Sequence, residues 1–407
     1  MKVVLETLGC KLNQAETELL ARELIEAGYQ LVSRIGEADI YILNTCTVTH
    51  IADSKSRHRL RQAHRRNPNA LILATGCYAQ RARQELACIG GVNLVVDNNE
   101  KGRLLRIIEG AWGRGRPIPL GKGTRKPRPL VLRTRTFIKI QDGCNTPCSY
   151  CIVPRVRGRE TSLPTNEIIT EVSRRVDDGY QEVVLTATKT GTYQHNGIDL
   201  KGLLERILVE TGVPRLRLSS LQPQEISSGL LGLWADDRLC PHFHLSLQSG
   251  SDPVLARMRR RYDTAEYEQA VSLIRESVPD AAITTDVIVG FPGETDEEFK
   301  ESYRFCKQME FARIHVFPFS PRSGTEAAQM PAQVDPKTKK QHSDSMLTLA
   351  EESARNFRER FSGRTMTVLW EQRTGEGIWS GVTGNYIRVF TKSEEDLSNQ
   401  LMTTKLA

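Results

Sequence analysis

The sequence lacks long apolar runs. Its apolar runs, such as Val183–Leu185 and Val287–Val289, fall far short of the roughly 20 residues that cross a bilayer. The amino-terminal residues MKVVLETLGC also lack the layout of a secretory signal peptide. We therefore expect no membrane partner and a cytoplasmic location, where disulfides are rare and clustered cysteines indicate metal binding or catalysis.

Acidic residues are absent from two basic tracts. Ser54–Arg66 contains six Lys or Arg residues and Arg114–Arg135 contains eight, without an Asp or Glu in either tract. Such surfaces attract a phosphate backbone without reading its sequence. A solvated helix face and a soluble linker would explain the same residues. Because the two tracts flank the cysteine-bearing segments, nucleic acid is the favoured partner.

Long internal repeats are also missing, and the 407 residues are enough for two or three domains. Residues 1–112 alternate apolar runs with helical patterns, which predicts an open parallel α/β domain. Residues 113–135, rich in Pro, Gly and basic residues, predict a linker. Residues 336–360 predict a connecting helix, and residues 361–407 predict a small β domain.

Between the linker and this helix, residues 136–335 predict part of a parallel β/α barrel. Its six expected strands are FIKIQ, EVVLTAT, RLRLSSL, FHLSLQS, AITTDVIVGF and RIHVFPF. Six strands are fewer than a closed barrel of this type contains. We therefore expect an open side with room for a large substrate.

Three apolar runs in the first domain each end in a cysteine: VVLETLGC at Cys10, DIYILNTC at Cys46 and LILATGC at Cys77. If the runs are parallel strands, the chain reaches the same sheet edge after each one, where open α/β sheets bind ligands. We therefore expect the three thiols to converge. The alternative is three ordinary buried thiols, which is the prediction for Cys88.

A second triad is compact: Cys144, Cys148 and Cys151 lie in the eight residues CNTPCSYC, directly after the first barrel strand. Iron–sulfur clusters commonly take four cysteines, and this loop supplies three. A cluster with three protein ligands leaves one iron open for another molecule. The competing interpretations are a zinc site completed by a histidine, for which His195 is distant, or chance clustering of structural thiols.

The second triad resembles the signature of the radical S-adenosylmethionine (SAM) superfamily, with Tyr150 before the last cysteine. Nearly the whole chain resembles the methylthiotransferases, through TLGCKLNQAETE, LNTCTVT, TGCYAQR, DGCNTPCSYCIVPRVRGR, LSLQSGSDPVL, DVIVGFPGET and HVFPFSPRSGT. It is most similar to the branch that modifies threonylcarbamoyladenosine beside the tRNA anticodon. The resemblance implies a three-cysteine domain, a radical-SAM barrel and an RNA-binding TRAM domain.

The resemblance also implies site residues. Each triad would ligate one [4Fe–4S] cluster, and SAM would bind at the open iron of the second cluster. Further cofactor contacts are expected from Tyr150, Arg157, Ser246, Gln248, Gly290 and Glu294. The alternatives are a plain turn at Gly290–Glu294, a helix N-cap at Ser246–Ser249, and phosphate binding or surface charge for Arg157.

Some residues depart from the family pattern or carry no signal. Thr161 stands where the family often has Arg, and Ala187 stands where a Gly would let the backbone approach the SAM amino group. The chain stops at LMTTKLA, so we expect the β domain to lack its last strand. The remaining residues without an assigned role are His242, His244, His315, Cys240 and Cys306; the two cysteines are predicted to be structural thiols.

For function, the resemblance implies conversion of N6-threonylcarbamoyladenosine in tRNA to its 2-methylthio derivative. One cluster would generate a radical from SAM, and the other would deliver sulfur that a second SAM methylates. The tRNA anticodon stem-loop and an electron donor such as flavodoxin or ferredoxin are the expected partners, and the sulfur donor stays open. The alternatives are modification of isopentenyladenosine in tRNA, thiomethylation of a ribosomal-protein aspartate, and a non-catalytic Fe–S protein that binds RNA.

Overall fold

The computed structural model describes residues 1–112 and 134–406, so most of the predicted linker lies outside the described residues. These residues fall into two compact units. The first unit contains residues 1–112 with the short segments Gly143–Asn145 and Cys151–Glu160. The second contains residues 134–142, 146–150 and 161–406.

The first unit is an open sheet of parallel strands. The strands are β1 (Lys2–Thr7), β2 (Gln30–Leu31), β3 (Ile40–Thr45), β4 (Leu71–Gly76) and β5 (Leu94–Val96). Their order is β2-β1-β3-β4-β5, and every neighbouring pair is parallel. The helices of the unit are α1 (Lys11–Glu26), α2 (His50–Arg66), α3 (Cys77–Arg81), α4 (Arg83–Ala87), α5 (Leu104–Trp112) and α6 (Val153–Arg157).

Strand β3 shows why this sheet is covered on both faces. All six of its residues are buried, which is typical of a central parallel strand. Tyr41 and Leu43 pack in one apolar cluster with Leu60 of α2, whereas Ile40 and Ile42 pack in a second with residues of α1 and α5. Alternate residues of β3 therefore pack against two helical layers, one on each face of the sheet.

The second unit contains the barrel strands and one short two-stranded hairpin. They are β6 (Arg135–Asp142), β7 (Thr161–Ser162), β8 (Glu182–Ala187), β9 (Gln194–His195), β10 (Ile198–Asp199), β11 (Leu216–Leu218), β12 (Ser220–Leu221), β13 (His242–Leu245), β14 (Ala282–Val289) and β15 (Arg313–Pro318). The accompanying helices are α7 (Thr165–Asp177), α8 (Leu200–Glu210), α9 (Ser228–Leu231), α10 (Asp252–Arg257), α11 (Thr264–Ser277) and α12 (Asp296–Gln308). Short 3₁₀ turns in the two units lie at Ile35–Glu37, Lys101–Arg103, Thr190–Thr192, Pro223–Glu225 and Gly232–Ala235.

Most of these strands form a partial parallel barrel, and this confirms the predicted fold class. Strand β7 pairs antiparallel with β6, and β9 and β10 form a separate antiparallel hairpin. One sheet has the order β11-β8-β6-β7 and the other β12-β13-β14-β15. All six predicted barrel strands are present, and the third divides at Ser219 into β11, which pairs with β8, and β12, which pairs with β13. A single large core lies between the strands and the helices that follow them.

A long helix, α13 (Pro336–Glu359), leads to an antiparallel sheet. Its strands are β16 (Thr365–Gly375), β17 (Ile378–Thr383), β18 (Arg388–Lys392) and β19 (Leu401–Lys405), in the order β18-β17-β16-β19. The predicted small β domain is therefore present. The sequence did not predict β19, which pairs with β16.

A buried ionic cluster connects this sheet to the barrel strands. Arg217 donates to both carboxylate oxygens of Glu182, at 2.8 and 3.1 Å, and to the carbonyl of Gly384 at 2.7 Å. Its guanidinium also lies 4.0 Å from the ring centroid of Tyr386. Burial alone raises the pKa of Glu182, but Arg217 and Arg215 outweigh burial and hold it at about 2. Glu182 is therefore a permanent counter-ion at this junction.

None of the described helices combines the length and apolar character needed to span a membrane.

Candidate active site

The first cysteine triad lies at one edge of the first unit's sheet. Cys46 follows β3 directly, Cys77 is the first residue of α3 directly after β4, and Cys10 is the N-cap of α1 shortly after β1. These three strands are neighbours and run in the same direction. Their carboxyl ends therefore bring residues that are distant in sequence to one place.

The three thiols are close enough to interact electrostatically. Burial is the main reason that the pKa of Cys46 rises to about 12, and charge on Cys10 or Cys77 raises it further. Gly9 shows how tightly the chain passes Cys46: it has a φ of +100°, and an added Cβ would lie 2.7 Å from Cys46 Sγ. Glycine is required here for both conformation and space.

Asn13, which the sequence analysis missed, holds the loops of this triad in place. The side chain is 1% exposed. Its Nδ2 donates to the carbonyls of Leu8, at 2.8 Å, and Thr45, at 3.0 Å. Its Oδ1 accepts from Arg157 Nη2 at 2.5 Å. The signal in the sequence was the position of Asn13 in TLGCKLNQ, one helical turn after Cys10.

Arg157 lies beside this triad, so the alternative of a merely surface charge was wrong. Its side chain is 4% exposed and pairs with Glu16, with Nη1 2.9 Å from Oε1. Lys101 pairs with the other oxygen of Glu16 at 2.5 Å. Burial raises the pKa of the Cys77 thiol, and the charges of Arg157 and Lys101 oppose this rise. Both cations therefore favour the thiolate, the form that binds metal.

The donor set at this edge fits an iron–sulfur cluster. Cys46 and Cys77 are buried and Cys10 is exposed, so a cluster at this edge would be bound from the core side and accessible from the surface. The two cations next to Cys77 would offset part of the negative charge of a thiolate-ligated cluster. Three cysteine ligands on a cluster of four irons would leave one iron for an exogenous ligand.

The second triad lies in the loop after β6, and its members belong to different units. Cys144 and Cys151 are in the first unit, and all three thiols are partly exposed. The Cys144 amide donates to the Gly158 carbonyl at 3.1 Å. Gly143 has a φ of +73°, and an added Cβ would lie 2.0 Å from the Arg159 carbonyl oxygen. The start of the loop is therefore fixed against the segment that follows it.

Cys148 belongs to the second unit, where Arg260 donates from Nη1 to Cys148 Sγ at 3.4 Å. The adjacent Ser149 accepts from the Ala327 amide at 2.8 Å and donates its hydroxyl to the Arg257 carbonyl at 2.8 Å. Arg260 was not predicted from the sequence, because nothing in MRRRY separates it from surface arginines.

Tyr150 and Gly290–Glu294 lie close together in the second unit. The Tyr150 ring meets Phe291 edge-on at a centroid distance of 6.4 Å. Gly290 has a φ of +69°, and its amide donates to Glu294 Oε2 at 2.5 Å. Burial is the main cause that raises the pKa of Glu294 to about 7. Glu294 can therefore hold or release a proton near neutrality.

Ser246 and Gln248 follow β13. Ser246 Oγ lies 3.5 Å from His244 Nε2. Gln248 has a φ of +70° and pairs through its backbone with β14, donating to Asp286 and accepting from Ile288 at 2.8 Å each. The N-cap of α10 is Ser251, so the alternative of an N-cap at Ser246–Ser249 was wrong.

The other cysteines differ in burial. Cys240 and Cys306 are buried, as predicted for structural thiols, but Cys88 is exposed at the end of α4, and the prediction that it is buried was wrong. Leu86 of α4 is buried, and two further residues turn a helix by about 200°, so Cys88 faces the opposite side. Of the two departures from the family pattern, Thr161 is exposed in β7, and Ala187 is the half-buried last residue of β8.

Comparison with protein families gives two matches. Residues 2–97 match a family described as uncharacterized protein family UPF0004, and residues 138–306 match the radical SAM superfamily. Among solved structures, the radical SAM methyltransferase TsrM from Kitasatospora setae, with cobalamin and a [4Fe–4S] cluster bound, aligns with a TM-score of 0.58 and 15% identity, over 80% of this chain and 77% of that chain. This similarity supports the fold.

Similarity in sequence to curated proteins is higher and extends over nearly the whole chain. The threonylcarbamoyladenosine tRNA methylthiotransferase MtaB of Bacillus subtilis is 37% identical over 99% of this chain and 93% of its own. MtaB of Aquifex aeolicus is 40% identical over 91% of this chain and 92% of its own. A tRNA-2-methylthio-N6-dimethylallyladenosine synthase of Thermodesulfovibrio yellowstonii is 32% identical over 94% of this chain and 90% of its own.

Proposed function

Since this chain belongs to the radical-SAM methylthiotransferases, in the MtaB branch, we propose that it converts N6-threonylcarbamoyladenosine in tRNA to the 2-methylthio derivative. It is an enzyme that uses SAM and two [4Fe–4S] clusters. The observation in the structure that supports this most directly is the approach of Cys10, Cys46 and Cys77 to one another at the sheet edge.

We assign one cluster to each triad. Cys144, Cys148 and Cys151 would hold one [4Fe–4S] cluster, which would offer an open iron to SAM and an electron for its cleavage, and Cys10, Cys46 and Cys77 would hold a second cluster, which would supply sulfur. The protein's own residues hold and tune these ligands. Arg260 places its positive charge next to Cys148, and the charge of Arg157 acts on Cys77 in the same way. Such second-sphere contacts orient ligands and adjust their basicity.

Several other residues are proposed to bind SAM. The positive φ of Gly290 and Gly293 lets the backbone approach a cofactor without Cβ atoms in the way. Glu294 offers a buried carboxyl next to this backbone, and Tyr150 packs against the same segment through Phe291. Ser246 and Gln248 add hydroxyl and amide groups at the end of β13. Arg157 would contribute to SAM binding only indirectly, because its ion pair with Glu16 lies beside the first triad.

The tRNA is proposed to bind through basic residues, with its anticodon stem-loop presenting the modified adenosine. Helix α2 carries the first basic tract, and its outer residues include the exposed Lys55, Arg59 and Arg61. The second tract is known only as sequence, because most of it lies outside the described residues. A loop nucleotide can be unstacked for chemistry at low cost. We expect a cytoplasmic reaction with flavodoxin or ferredoxin as the reductant.

Anaerobically reconstituted protein should test the assignment with SAM, dithionite and tRNA that carries threonylcarbamoyladenosine. Nucleoside mass spectrometry should detect the methylthio product, and 5′-deoxyadenosine should be released. Cys144→Ala should abolish both signals. Cys46→Ala should keep the release of 5′-deoxyadenosine but lose the product. Cys88→Ala, an exposed thiol outside both triads, is the matched control and should behave like the native protein.

Two outcomes would contradict the assignment. If product formed only on tRNA carrying isopentenyladenosine, the substrate would be that of the dimethylallyladenosine branch. If the fully iron-loaded protein released no 5′-deoxyadenosine and Cys144→Ala behaved identically, the clusters would be structural.

A further inference from the structure

A cluster of His244, Asp286 and His315 lies on three neighbouring barrel strands, β13, β14 and β15. One ligating atom from each side chain lies within 4.8 Å of the corresponding atoms of the other two. None of the three belongs to the cysteine triads or to the residues proposed to bind SAM. The cluster adjoins that part of the barrel, because Ser246 Oγ lies 3.5 Å from His244 Nε2.

The strand pattern shows on which face the cluster lies. Phe243 and Leu245 of β13, and Ile283 and Val287 of β14, belong to the core between strands and helices. Because successive residues of a strand alternate between faces, His244 and Asp286 point away from those helices. Strand β15 follows the same pattern, with Ile314 in the core and His315 on the opposite face. Asp286 and His315 are direct neighbours in register.

The geometry matches the needs of a small divalent cation. Zinc bonds to nitrogen and oxygen of about 2.0–2.2 Å place the ligands of a tetrahedral site about 3.4 Å apart. His244 Nε2 and Asp286 Oδ2 are separated by 3.2 Å. Two imidazoles and one carboxylate are a common ligand set for zinc and other transition ions, which leaves a coordination position open.

The neighbouring Thr284 orients one of these ligands. Its Oγ1 lies 3.0 Å from His244 Nδ1 and 3.1 Å from His242 Nε2. A hydrogen bond at Nδ1 fixes the imidazole plane and, when Nδ1 carries the proton, leaves the Nε2 lone pair facing Asp286. Metal-ligating histidines usually have such a partner on the second nitrogen.

From these contacts we infer that His244, Asp286 and His315 form a binding site for one divalent transition-metal ion of the zinc type, with an open position toward the barrel interior. The ion is additional to the two iron–sulfur clusters. The open position is suited to an oxygen ligand, water or a substrate group. The inference does not depend on which nucleoside the enzyme modifies.

Zinc K-edge X-ray absorption is the appropriate test, because it reports zinc ligands in the presence of iron. The full chain is reconstituted anaerobically with iron and sulfide, so that its cysteines are occupied, and then equilibrated with one equivalent of Zn²⁺. We expect one zinc per chain with nitrogen and oxygen ligands at about 2.0–2.1 Å. A sulfur shell at about 2.3 Å would place the zinc on cysteines and overturn the inference.

Variants identify the ligands. Asp286→Ala and His315→Asn should each weaken zinc binding at least a hundred-fold, and Thr284→Val should weaken it roughly ten- to a hundred-fold. His195→Ala, in the β9 hairpin, is the matched histidine control and should bind zinc normally. Iron content and circular dichroism of each variant establish that it is folded. Native-like zinc binding by folded Asp286→Ala and His315→Asn, or no zinc uptake by the native protein, would overturn the site.

Discussion

Arg157 and Glu16, 141 residues apart in sequence, form an ion pair that is almost removed from solvent, with side chains 4% and 7% exposed. Arg157 comes from the segment after the radical-SAM cysteines, whereas Glu16 lies on α1, two turns after Cys10. Breaking a buried pair is costly, because the remaining charge stays in a poorly solvated place. Through this pair, a substitution of Arg157 should change the surroundings of the first triad, although Arg157 is distant from those cysteines in sequence.

Arg157→Ala should therefore destabilise the protein by about 2–3 kcal/mol, toward the low end for a buried pair because Lys101 still faces Glu16. Denaturant unfolding of the iron-loaded protein measures this. Arg206→Ala is the control, because its pair with Glu210 is exposed and its loss should leave the unfolding midpoint unchanged. Equal midpoints for the two variants would show that the buried pair does not contribute to stability.

Gly9→Ala should displace Cys46, because the added methyl group would lie 2.7 Å from its Sγ in a backbone conformation that already disfavours alanine. The expected result is a loss of about half of the roughly eight irons that two four-iron clusters contain. Gly36→Ala is the matched control, since an added Cβ there meets no atom within 4 Å. Full iron content in Gly9→Ala would mean that the first triad tolerates the displacement.

Stability should depend on pH through Glu294. Its pKa is raised from 4.5 to about 7 in the folded protein, chiefly by burial, while the unfolded chain keeps the ordinary value. Between these values the folded state binds more protons, so stability should fall as pH rises from about 4.5 to 7, by at most about 3 kcal/mol.

Glu294→Gln should flatten that part of the profile, measured as the free energy of unfolding at several pH values without SAM. The exposed Glu205→Gln should leave the slope unchanged. An unchanged slope in Glu294→Gln would place the proton uptake on another group.

Arg260→Met should lower the reduction potential of the cluster held by the second triad. The substitution removes a hydrogen-bond donor and a positive charge 3.4 Å from Cys148 Sγ, and both stabilise the more negative reduced state. Redox titration followed by electron paramagnetic resonance measures the shift. Arg259→Met, whose pair with Glu326 is exposed, should leave the potential at its native value. A potential that does not move in Arg260→Met would remove Arg260 from the environment of the cluster.

Local patterns predicted much of this protein. Short apolar runs such as Ile40–Leu43 and Val287–Val289 indicated buried parallel strands, and their alternation with helical patterns indicated two α/β regions. The spacing of Cys144, Cys148 and Cys151 can be read directly, because neighbours in sequence must be neighbours in space. Strand β19 was missed, since LMTTK lacks the apolar alternation of its partner β16 and has only two apolar residues.

The sequence by itself determined the order of strands and helices, the compact cysteine loop and the family resemblance, because all of these are encoded in residues close together along the chain. Only the tertiary structure decided that Arg157 meets Glu16, that Arg260 reaches Cys148, and that His244, Asp286 and His315 meet on adjacent strands. Such contacts join residues separated by tens to hundreds of positions. Their formation depends on strand register and on which charged side chains become buried and need a partner in place of water. No short stretch of sequence specifies either of these.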